Sequence, residues 1–122
     1  MQRSARASKA KGRRLQNYVR DMLRDVYTQL HPDDIKSQTM GMGGEDIVLS
    51  PAARELIPFS FECKNQETLP LWKSLAQAEG NCNGRDPVLI IKRNRSGVYA
   101  VIQFDVFTKL IERKIDGKNE QI

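Results

Sequence analysis

The stretch Gly43-Gly44-Glu45-Asp46-Ile47-Val48-Leu49, followed further along by Phe59-Ser60-Phe61-Glu62-Cys63-Lys64-Asn65, decides the fold. The first part places Asp46 at the head of an apolar run, and the second places Glu62 and Lys64 two residues apart. Residues two apart in a strand point to the same face, so Glu62 and Lys64 are expected to project together, opposite the intervening apolar side chains. If the two runs pair as neighbouring strands, Asp46 reaches the same patch.

This patch would have the composition of a metal-assisted phosphodiester site. Two carboxylates, Asp46 and Glu62, supply the oxygen ligands that Mg²⁺ prefers, and the Lys64 ammonium would lie beside them. The alternative is a solvated Glu-x-Lys ion pair on a strand surface, which contributes little. The position of Glu62 inside an otherwise apolar strand, after a glycine-rich aspartate loop and in a basic chain, favours the site.

The order of these motifs resembles the PD-(D/E)xK nuclease superfamily. Glu45-Asp46 matches the first acidic element, and Glu62-Cys63-Lys64 matches the E-x-K element. Lys11-Gly12-Arg13-Arg14 at the start of a predicted helix, and Gln77 on the helix after the E-x-K strand, add to the likeness. Within the superfamily, residues 11–111 look most like the small Holliday junction resolvases of archaea and phages.

The resemblance implies an α/β fold with a restriction-endonuclease-like mixed β-sheet flanked by α-helices, as the alternation of predicted strands and helices also suggests. It implies that Mg²⁺, or alternatively Mn²⁺, is held by Asp46, Glu62 and the backbone carbonyl of Cys63. Lys64 would position or activate the attacking water, and Gln77 would help to hold the site or the DNA. The family places a metal-assisting glutamate on the first helix, whereas this chain has Gln16 at the nearest position.

Length and composition are those of one small globular domain with a polyanionic partner. The chain has 122 residues, a net charge of +5 and a sequence pI of about 9.4. No apolar run is long enough to span a bilayer, so no membrane association is expected. Cys63 and Cys82 make neither a disulfide framework nor a zinc site, which favours a reducing cytoplasmic location, the host cytoplasm if the gene is phage-borne.

The chain divides into a flexible basic arm over residues 1–10, a nuclease domain over residues 11–114 and a frayed tail over residues 115–122. A helix is predicted over residues 69–82, with Trp72 toward the core. Basic residues cluster near the start of the first helix and at the end of the strand over residues 87–92; they would contact phosphates or merely keep these segments solvated. The predicted DNA contacts are Lys9, Lys11, Arg13, Arg14, Lys92, Arg93 and Arg95.

These observations predict a Mg²⁺-dependent, structure-selective DNA endonuclease that resolves four-way junctions, with Asp46, Glu62, Lys64, Gln77 and Gln16 as catalytic residues. The resemblance also implies a homodimer, because a four-way junction has two scissile positions related by symmetry. One alternative is a non-catalytic, nuclease-like DNA-binding protein. Others are a nuclease acting on other branched or nicked DNA, and an RNA-binding protein that uses only its basic face.

Overall fold

The computed structural model describes the backbone of residues 5–120 and the side chains of residues 5–117. Helices and strands alternate along the chain. None of the helices in this range is long and apolar enough to cross a membrane. The helices are α1 (Ala5–Val26), α2 (Pro51–Leu56), α3 (Leu71–Gly80) and α4 (Phe104–Glu120), and the strands are β1 (Ile35–Ser37), β2 (Ile47–Leu49), β3 (Phe59–Asn65), β4 (Asp86–Lys92) and β5 (Tyr99–Val101), with a 3₁₀ turn at Pro32–Asp34.

The strands form two adjoining sheets. β1 and β2 make an antiparallel pair, while β3, β4 and β5 form a mixed sheet in which β4 is parallel to β3 and antiparallel to β5. The amide of Asp46, just before β2, donates a 3.1 Å hydrogen bond to the carbonyl of Phe61 in β3, which joins the two sheets. The predicted α/β, restriction-endonuclease-like fold with a mixed sheet and flanking helices is confirmed.

The parallel pairing of β3 and β4 depends on α3, because parallel neighbours need a crossover connection. Register pairs Glu62 with Leu89 and Asn65 with Lys92, so the carboxyl ends of both strands lie side by side. The polar end of the E-x-K strand therefore adjoins the basic residues that follow β4.

The core lies between α1, the β1–β2 hairpin and one face of β3 and β4. Phe61 and Cys63 of β3 join it, as expected from strand alternation, while Glu62 points to the opposite face. Ser50 caps α2 by accepting a 3.1 Å hydrogen bond from the amide of Ala53, as its position before Pro51 predicts. The buried cluster consists of Leu15, Val19, Ile35, Ile47, Leu49, Ala53, Ile57, Phe61, Cys63, Val88 and Ile90.

Both ends of the described chain are more helical than expected. Helix α1 begins at Ala5, so residues 5–10, which were predicted to be part of a flexible arm, form its first turns. Alanine, arginine and lysine in this segment are good helix formers. Helix α4 continues to Glu120 through most of the expected frayed tail. Residues 1–4 and 121–122, which complete those two predicted segments, lie outside the described residues.

The prediction that Trp72 packs in the core is wrong, because its side chain is 81% exposed. Helix α3 instead buries Ser74 and Ala78, which are four residues apart and therefore share one face. These small side chains face the body of the protein, and Trp72 lies well around the helix from them. The amphipathic pattern of α3 was interpreted with the large apolar residues inward, whereas small residues make the contact.

Candidate active site

The side chains of Glu62 and Lys64 lie together on β3. Lys64 Nζ is 3.8 Å from Glu62 Oε1, which confirms the prediction that these two residues share one face of the strand. Glu62 is buried, whereas Lys64 is half-buried at the margin. An ion pair at this depth differs from the solvated surface pair that was the alternative interpretation, because Glu62 has lost most of its hydration.

Asp46 is held against the same strand by two backbone contacts. Its own amide donates to the carbonyl of Phe61 at 3.1 Å, and its Oδ2 accepts a 2.7 Å hydrogen bond from the amide of Cys63. The nearby Gly44 has φ of +90°, a left-handed conformation that a residue with a Cβ adopts only with strain. The glycine therefore lets the chain turn into β2 with Asp46 directed at β3.

Burial raises the pKa of both carboxyl groups, and the Asp46 charge adds to the shift of Glu62. Burial raises the pKa of Asp46, while the hydrogen bond from the Cys63 amide and the Lys64 charge oppose the shift. Burial, followed by the nearby Asp46 charge, raises the pKa of Glu62 to about 7, against the opposing effects of Lys64 and Asn81. Two carboxyls with raised pKa values beside one ammonium make a site where a bound cation would be favourable.

These groups line a cavity of about 620 Å³, named the catalytic cavity here. Helix α1 forms one wall and the glycine-rich loop of residues 39–44 another. The five residues predicted to be catalytic, which the chain contributes from four separate segments, all border it. They are Gln16 of α1, Asp46 before β2, Glu62 and Lys64 of β3, and Gln77 of α3.

The catalytic cavity contains acceptors that fit a divalent cation with its bound water. Glu62 Oε2 and Gln16 Oε1 are both buried without a hydrogen-bond partner, although buried polar atoms in folded proteins are nearly always paired. Among the described residues there is no group of three or more His, Cys, Asp and Glu side chains that could hold a metal. A cation would therefore bind two carboxylates and complete its oxygen shell with neutral ligands or water, as Mg²⁺ commonly does.

The backbone carbonyl of Cys63 is oriented to be one such neutral ligand. In an extended strand, the N–H and C=O of one residue point to the same edge, and the Cys63 N–H points to Asp46. The Cys63 thiol points the other way, into the core. Burial, reinforced by the charges of Asp46 and Glu62, raises the pKa of this thiol, so it stays protonated and is no nucleophile.

Glu45 turns away from the catalytic cavity, as expected of the neighbour of Asp46. Arg85 Nη2 donates to both of its carboxylate oxygens, at 2.5 and 2.6 Å, and Arg85 Nε donates to the carbonyl of Phe59 at 3.3 Å. Asn83 adds a longer hydrogen bond of 3.4 Å to Glu45. The pair of buried Glu45 and partly buried Arg85 thus connects the segment carrying Asp46 to the start of β3. No local pattern in the chain predicts this link.

The predicted DNA contacts separate into four groups, according to which of two cavities they border. Lys9 borders the catalytic cavity alone, and Lys11 borders both this cavity and a second one of about 780 Å³ between α1 and the β4–β5 turn. Arg13 and Arg93 are exposed and border neither of these two cavities. The second cavity, named the basic cavity here, is bordered by Lys11, Arg14, Lys92 and Arg95.

Two asparagines at the catalytic cavity were not predicted. Asn81, just after α3, borders it near Glu62, and Asn65, which directly follows Lys64, borders both cavities. Asn65 Nδ2 donates to the carbonyl of Lys11 at 3.1 Å, while its Oδ1 is buried without a partner. The signal for Asn65 was its position at the polar end of β3, whereas Asn81 lay in a stretch that resembled an ordinary polar turn.

Comparison with protein families supplies a match over nearly the whole chain. Comparisons with curated proteins and with solved structures find no match. The family model described as "Phage putative PDDEXK endonuclease" matches residues 7–121, a range that includes Asp46, the E-x-K strand and every border residue of the catalytic cavity. With its mixed sheet and its carboxylate and lysine side chains converging on one cavity, the chain belongs to this family of phage PDDEXK endonucleases.

Proposed function

We propose that this protein is a Mg²⁺-dependent DNA endonuclease that hydrolyses phosphodiester bonds in branched DNA, with four-way junctions as its main substrate. The observation that carries the hydrolytic activity is the convergence of Asp46, Glu62 and Lys64 on one cavity, where Glu62 Oε2 and Gln16 Oε1 lack partners. Membership of the PDDEXK family supports a nuclease. The metal is proposed from the residues around this cavity, and the DNA substrate from the resemblance to the resolvases and the positive charge of the chain.

Asp46, Glu62, the carbonyl of Cys63 and the amide oxygen of Gln16 would hold the metal. When bound, Mg²⁺ polarises the scissile phosphate and makes a coordinated water more acidic; Mn²⁺ would serve as an alternative. The ion would also favour the charged forms of the two carboxylates, whose pKa values are raised in its absence. Gln16 stands where the resemblance to the resolvases predicts a glutamate, so the site would carry one negative charge fewer than that resemblance implies.

The proposed role of Lys64 follows from the position of its ammonium group. Its ammonium lies 3.8 Å from Glu62 at the margin of the cavity, where it can position a water molecule and offset negative charge as the phosphorane-like transition state forms. Gln77 of α3, which also borders the cavity, can donate a hydrogen bond to a phosphate oxygen. These two side chains orient the substrate, while the carboxylates keep the metal in place.

The proposed preference for branched DNA assumes that the protein contacts phosphates and not base edges. The net charge of +5 favours contacts with phosphates, which carry no base sequence. Four-way junctions have two scissile strands related by twofold symmetry, so two copies of one small nuclease can cut both. In a phage infection this activity would operate in the host cytoplasm.

A homodimer would need a surface for the second copy, and helix α4 offers one. Phe104, Phe107, Ile111 and Ile115 are exposed and recur at helical spacing along one side of α4, while Val106 on another side is buried. An exposed apolar stripe of this kind marks an interaction site. We name these four residues the α4 stripe and assign it to contact between the two copies.

A cleavage panel tests the proposed function. Four-way junction, flap, nicked duplex, intact duplex and single strand are each incubated with the protein in Mg²⁺, in Mn²⁺ and in EDTA, with Asp46→Asn as the control. The proposal expects metal-dependent cuts that are fastest on the four-way junction and absent in the variant. Faster cleavage of another branched DNA would change the proposed substrate and leave the proposed metal-dependent hydrolysis unaffected.

Binding of the same DNA molecules and of an RNA strand, measured alongside the cleavage panel, separates the remaining alternatives. Junction binding by the wild-type protein without any cleavage in either metal would identify a non-catalytic, nuclease-like DNA-binding protein. Tight RNA binding that Asp46→Asn leaves unchanged, without cleavage of any DNA, would favour the RNA-binding alternative instead.

A further inference from the structure

The basic cavity has no role in the hydrolytic chemistry, yet it shares two residues with the catalytic cavity. It is lined by α1 on one side and by the end of β4 and the following turn on the other. Lys11 and Asn65 border both cavities and form the wall between them. Any group that fills the basic cavity therefore lies beside the group that fills the catalytic one.

The charges around the basic cavity are all of one sign. Lys11, Arg14, Lys92 and Arg95 border it, and no carboxylate of the described residues does. None of these four makes an ion pair with an acidic side chain in the part of the chain that the structure describes. Four cationic side chains around one cavity, without an acidic partner, are expected to attract an anion, although Lys92 Nζ also donates a 3.0 Å hydrogen bond to the carbonyl of Arg93.

Among the four cations, Lys11 is the most deeply buried and therefore gains most from a bound anion. It is only 5% exposed, and a buried charge is costly unless it is paired. The neighbouring Asn65 cannot neutralise it, because Asn65 is an amide that donates to the carbonyl of Lys11, not a carboxylate. Lys11 also borders the catalytic cavity, which contains Asp46 and Glu62, but it forms no ion pair with either of them. A phosphate in the basic cavity would supply a negative charge that can pair with it.

The cavity also has a surface suited to a nucleobase. Tyr18 of α1 borders it and is about half exposed, so part of its side chain is accessible from the cavity. A volume of about 780 Å³ lies within the roughly 300–1,000 Å³ typical of small-molecule sites. Basic groups that follow a backbone, combined with an aromatic platform, are how proteins bind unpaired nucleotides.

The turn that carries Arg95 is held in place at some conformational cost. Arg95 has φ of +60°, in the left-handed region that is strained for a residue with a Cβ. Ser96 Oγ accepts a 3.0 Å hydrogen bond from the amide of Arg93, and Glu67 accepts one of 3.2 Å from the amide of Asn94. The turn would be less strained with glycine at position 95, so the side chain of Arg95 is expected to serve binding and not folding.

We propose that the basic cavity holds one nucleotide of the DNA strand that is being cut, next to the scissile phosphate. Lys11, Arg14, Lys92 and Arg95 bind its phosphodiester, and its base stacks on Tyr18. This inference rests on the proposed function, because it takes a DNA strand to be the occupant of the neighbouring catalytic cavity. It explains a preference for branched DNA, in which a base next to the cut is more easily unpaired than in an intact duplex.

The test measures DNA binding in EDTA, where metal-dependent cleavage does not occur. Fluorescence anisotropy with a labelled four-way junction is recorded over a range of salt concentrations for wild type, Arg95→Gly, Arg14→Ala and Tyr18→Leu. Arg54→Ala, at an exposed arginine of α2 that borders neither cavity, is the control for removal of one positive charge. Thermal unfolding is measured for each, and Arg95→Gly is expected to unfold at the wild-type temperature or above.

The two kinds of interaction predict different salt behaviour. Removal of the Arg95 or Arg14 side chain should weaken binding and reduce the slope of log K against log [salt] by about 0.7–0.9 for each phosphate that is no longer neutralised. Removal of the Tyr18 ring should weaken binding roughly 5- to 150-fold, the range for stacking on an aromatic side chain, and leave the slope unchanged. Arg54→Ala should resemble wild type in both.

Two results would overturn the inference. One is that Arg95→Gly and Arg14→Ala match Arg54→Ala in affinity and slope while all three variants are folded. The other is that a deoxynucleoside monophosphate or inorganic phosphate, titrated into the protein, binds more tightly than the junction and leaves junction binding intact. Because binding is measured without metal, absence of cleavage would defeat the proposed catalysis without affecting this result.

Discussion

The main-chain amide of Cys63 donates a 2.7 Å hydrogen bond to Oδ2 of Asp46, which lies 17 residues earlier in the chain. This contact crosses from the β1–β2 sheet to the middle of the E-x-K motif. It fixes one carboxylate oxygen of Asp46 and leaves Oδ1 available to a ligand. The first acidic element and the E-x-K element of the family are thus connected directly through the backbone.

Substitutions of Asp46 should separate its charge from its hydrogen bond. Asp46→Asn keeps an acceptor for the Cys63 amide, so we expect near wild-type stability and a decrease in cleavage greater than about 10²-fold, since even residues that only support a metal ligand cost 10–100-fold when replaced. Asp46→Ala also leaves that amide unpaired, which should cost about 1–3 kcal/mol of unfolding free energy. Single-turnover cleavage and urea denaturation measure the two effects; equal stability of the two variants would show that the hydrogen bond contributes little.

Glu45, which is buried, and Arg85, which is largely buried, should behave as a coupled unit. Glu45→Gln or Arg85→Met alone removes one charge and leaves the other buried, so either should lower the unfolding free energy by about 3–5 kcal/mol. The double variant Glu45→Gln with Arg85→Met should be destabilised much less than the sum of the two. Denaturant unfolding of all four proteins gives the coupling energy, and strictly additive effects would contradict this view of the pair.

The parts of this site that could be predicted are those that depend on local periodicity. The alternation of β3 was enough to place Glu62 beside Lys64 and Cys63 in the core, because a strand repeats every two residues. Contacts between distant segments carry no such signal: Arg85 could not be linked to Glu45, 40 residues earlier, from spacing alone. The exposure of Trp72 was missed for a related reason. The face of α3 that packs against the protein carries the small residues Ser74 and Ala78, and the apolar pattern of the helix alone does not indicate this.

The metal-free protein should become less stable as pH rises toward neutrality. Between pH 4.5, the ordinary pKa of a glutamate, and about 7, folded Glu62 keeps a proton that the unfolded chain has released. The unfolded state then binds fewer protons, so the unfolding free energy falls with pH, by at most about 1.4 kcal/mol per pH unit for this group. The raised pKa of Asp46 acts in the same direction above its ordinary value of 3.8.

Urea denaturation in EDTA at pH 5, 6, 7 and 8 measures this effect. Glu62→Gln, which cannot ionise at this position, should flatten the dependence on pH. Addition of Mg²⁺ at pH 8 should raise the stability of wild type, because a ligand that binds only the folded state stabilises it, and should raise that of the variant much less. Parallel pH profiles for the two proteins would contradict the assignment of the effect to Glu62.

The α4 stripe should determine the oligomeric state. Phe107→Asp and Ile111→Asp each place a charge in the middle of this apolar surface, so we expect dimers to become monomers without unfolding, because both side chains are already partly exposed. Lys109→Asp changes charge on the same helix outside the stripe and serves as the control. Light scattering after size exclusion gives the mass, and a wild-type protein that is monomeric at all concentrations would refute the assignment.

Lys64 should affect both the rate and the pH dependence of cleavage. Lys64→Met keeps the aliphatic length but removes the charge, and we expect kcat to fall about 10²–10³-fold, as when one preorganised group that stabilises a transition state is removed. Because the Lys64 charge lowers the pKa of Glu62, its removal should also move the acidic limb of the pH–rate profile upward. Lys64→Arg should keep that limb in place, whereas Lys73→Met, at an exposed lysine of α3, should change neither property. If Lys64→Met were slower but kept the wild-type pH profile, Lys64 would act on the substrate without influencing Glu62; a wild-type rate would remove it from the mechanism.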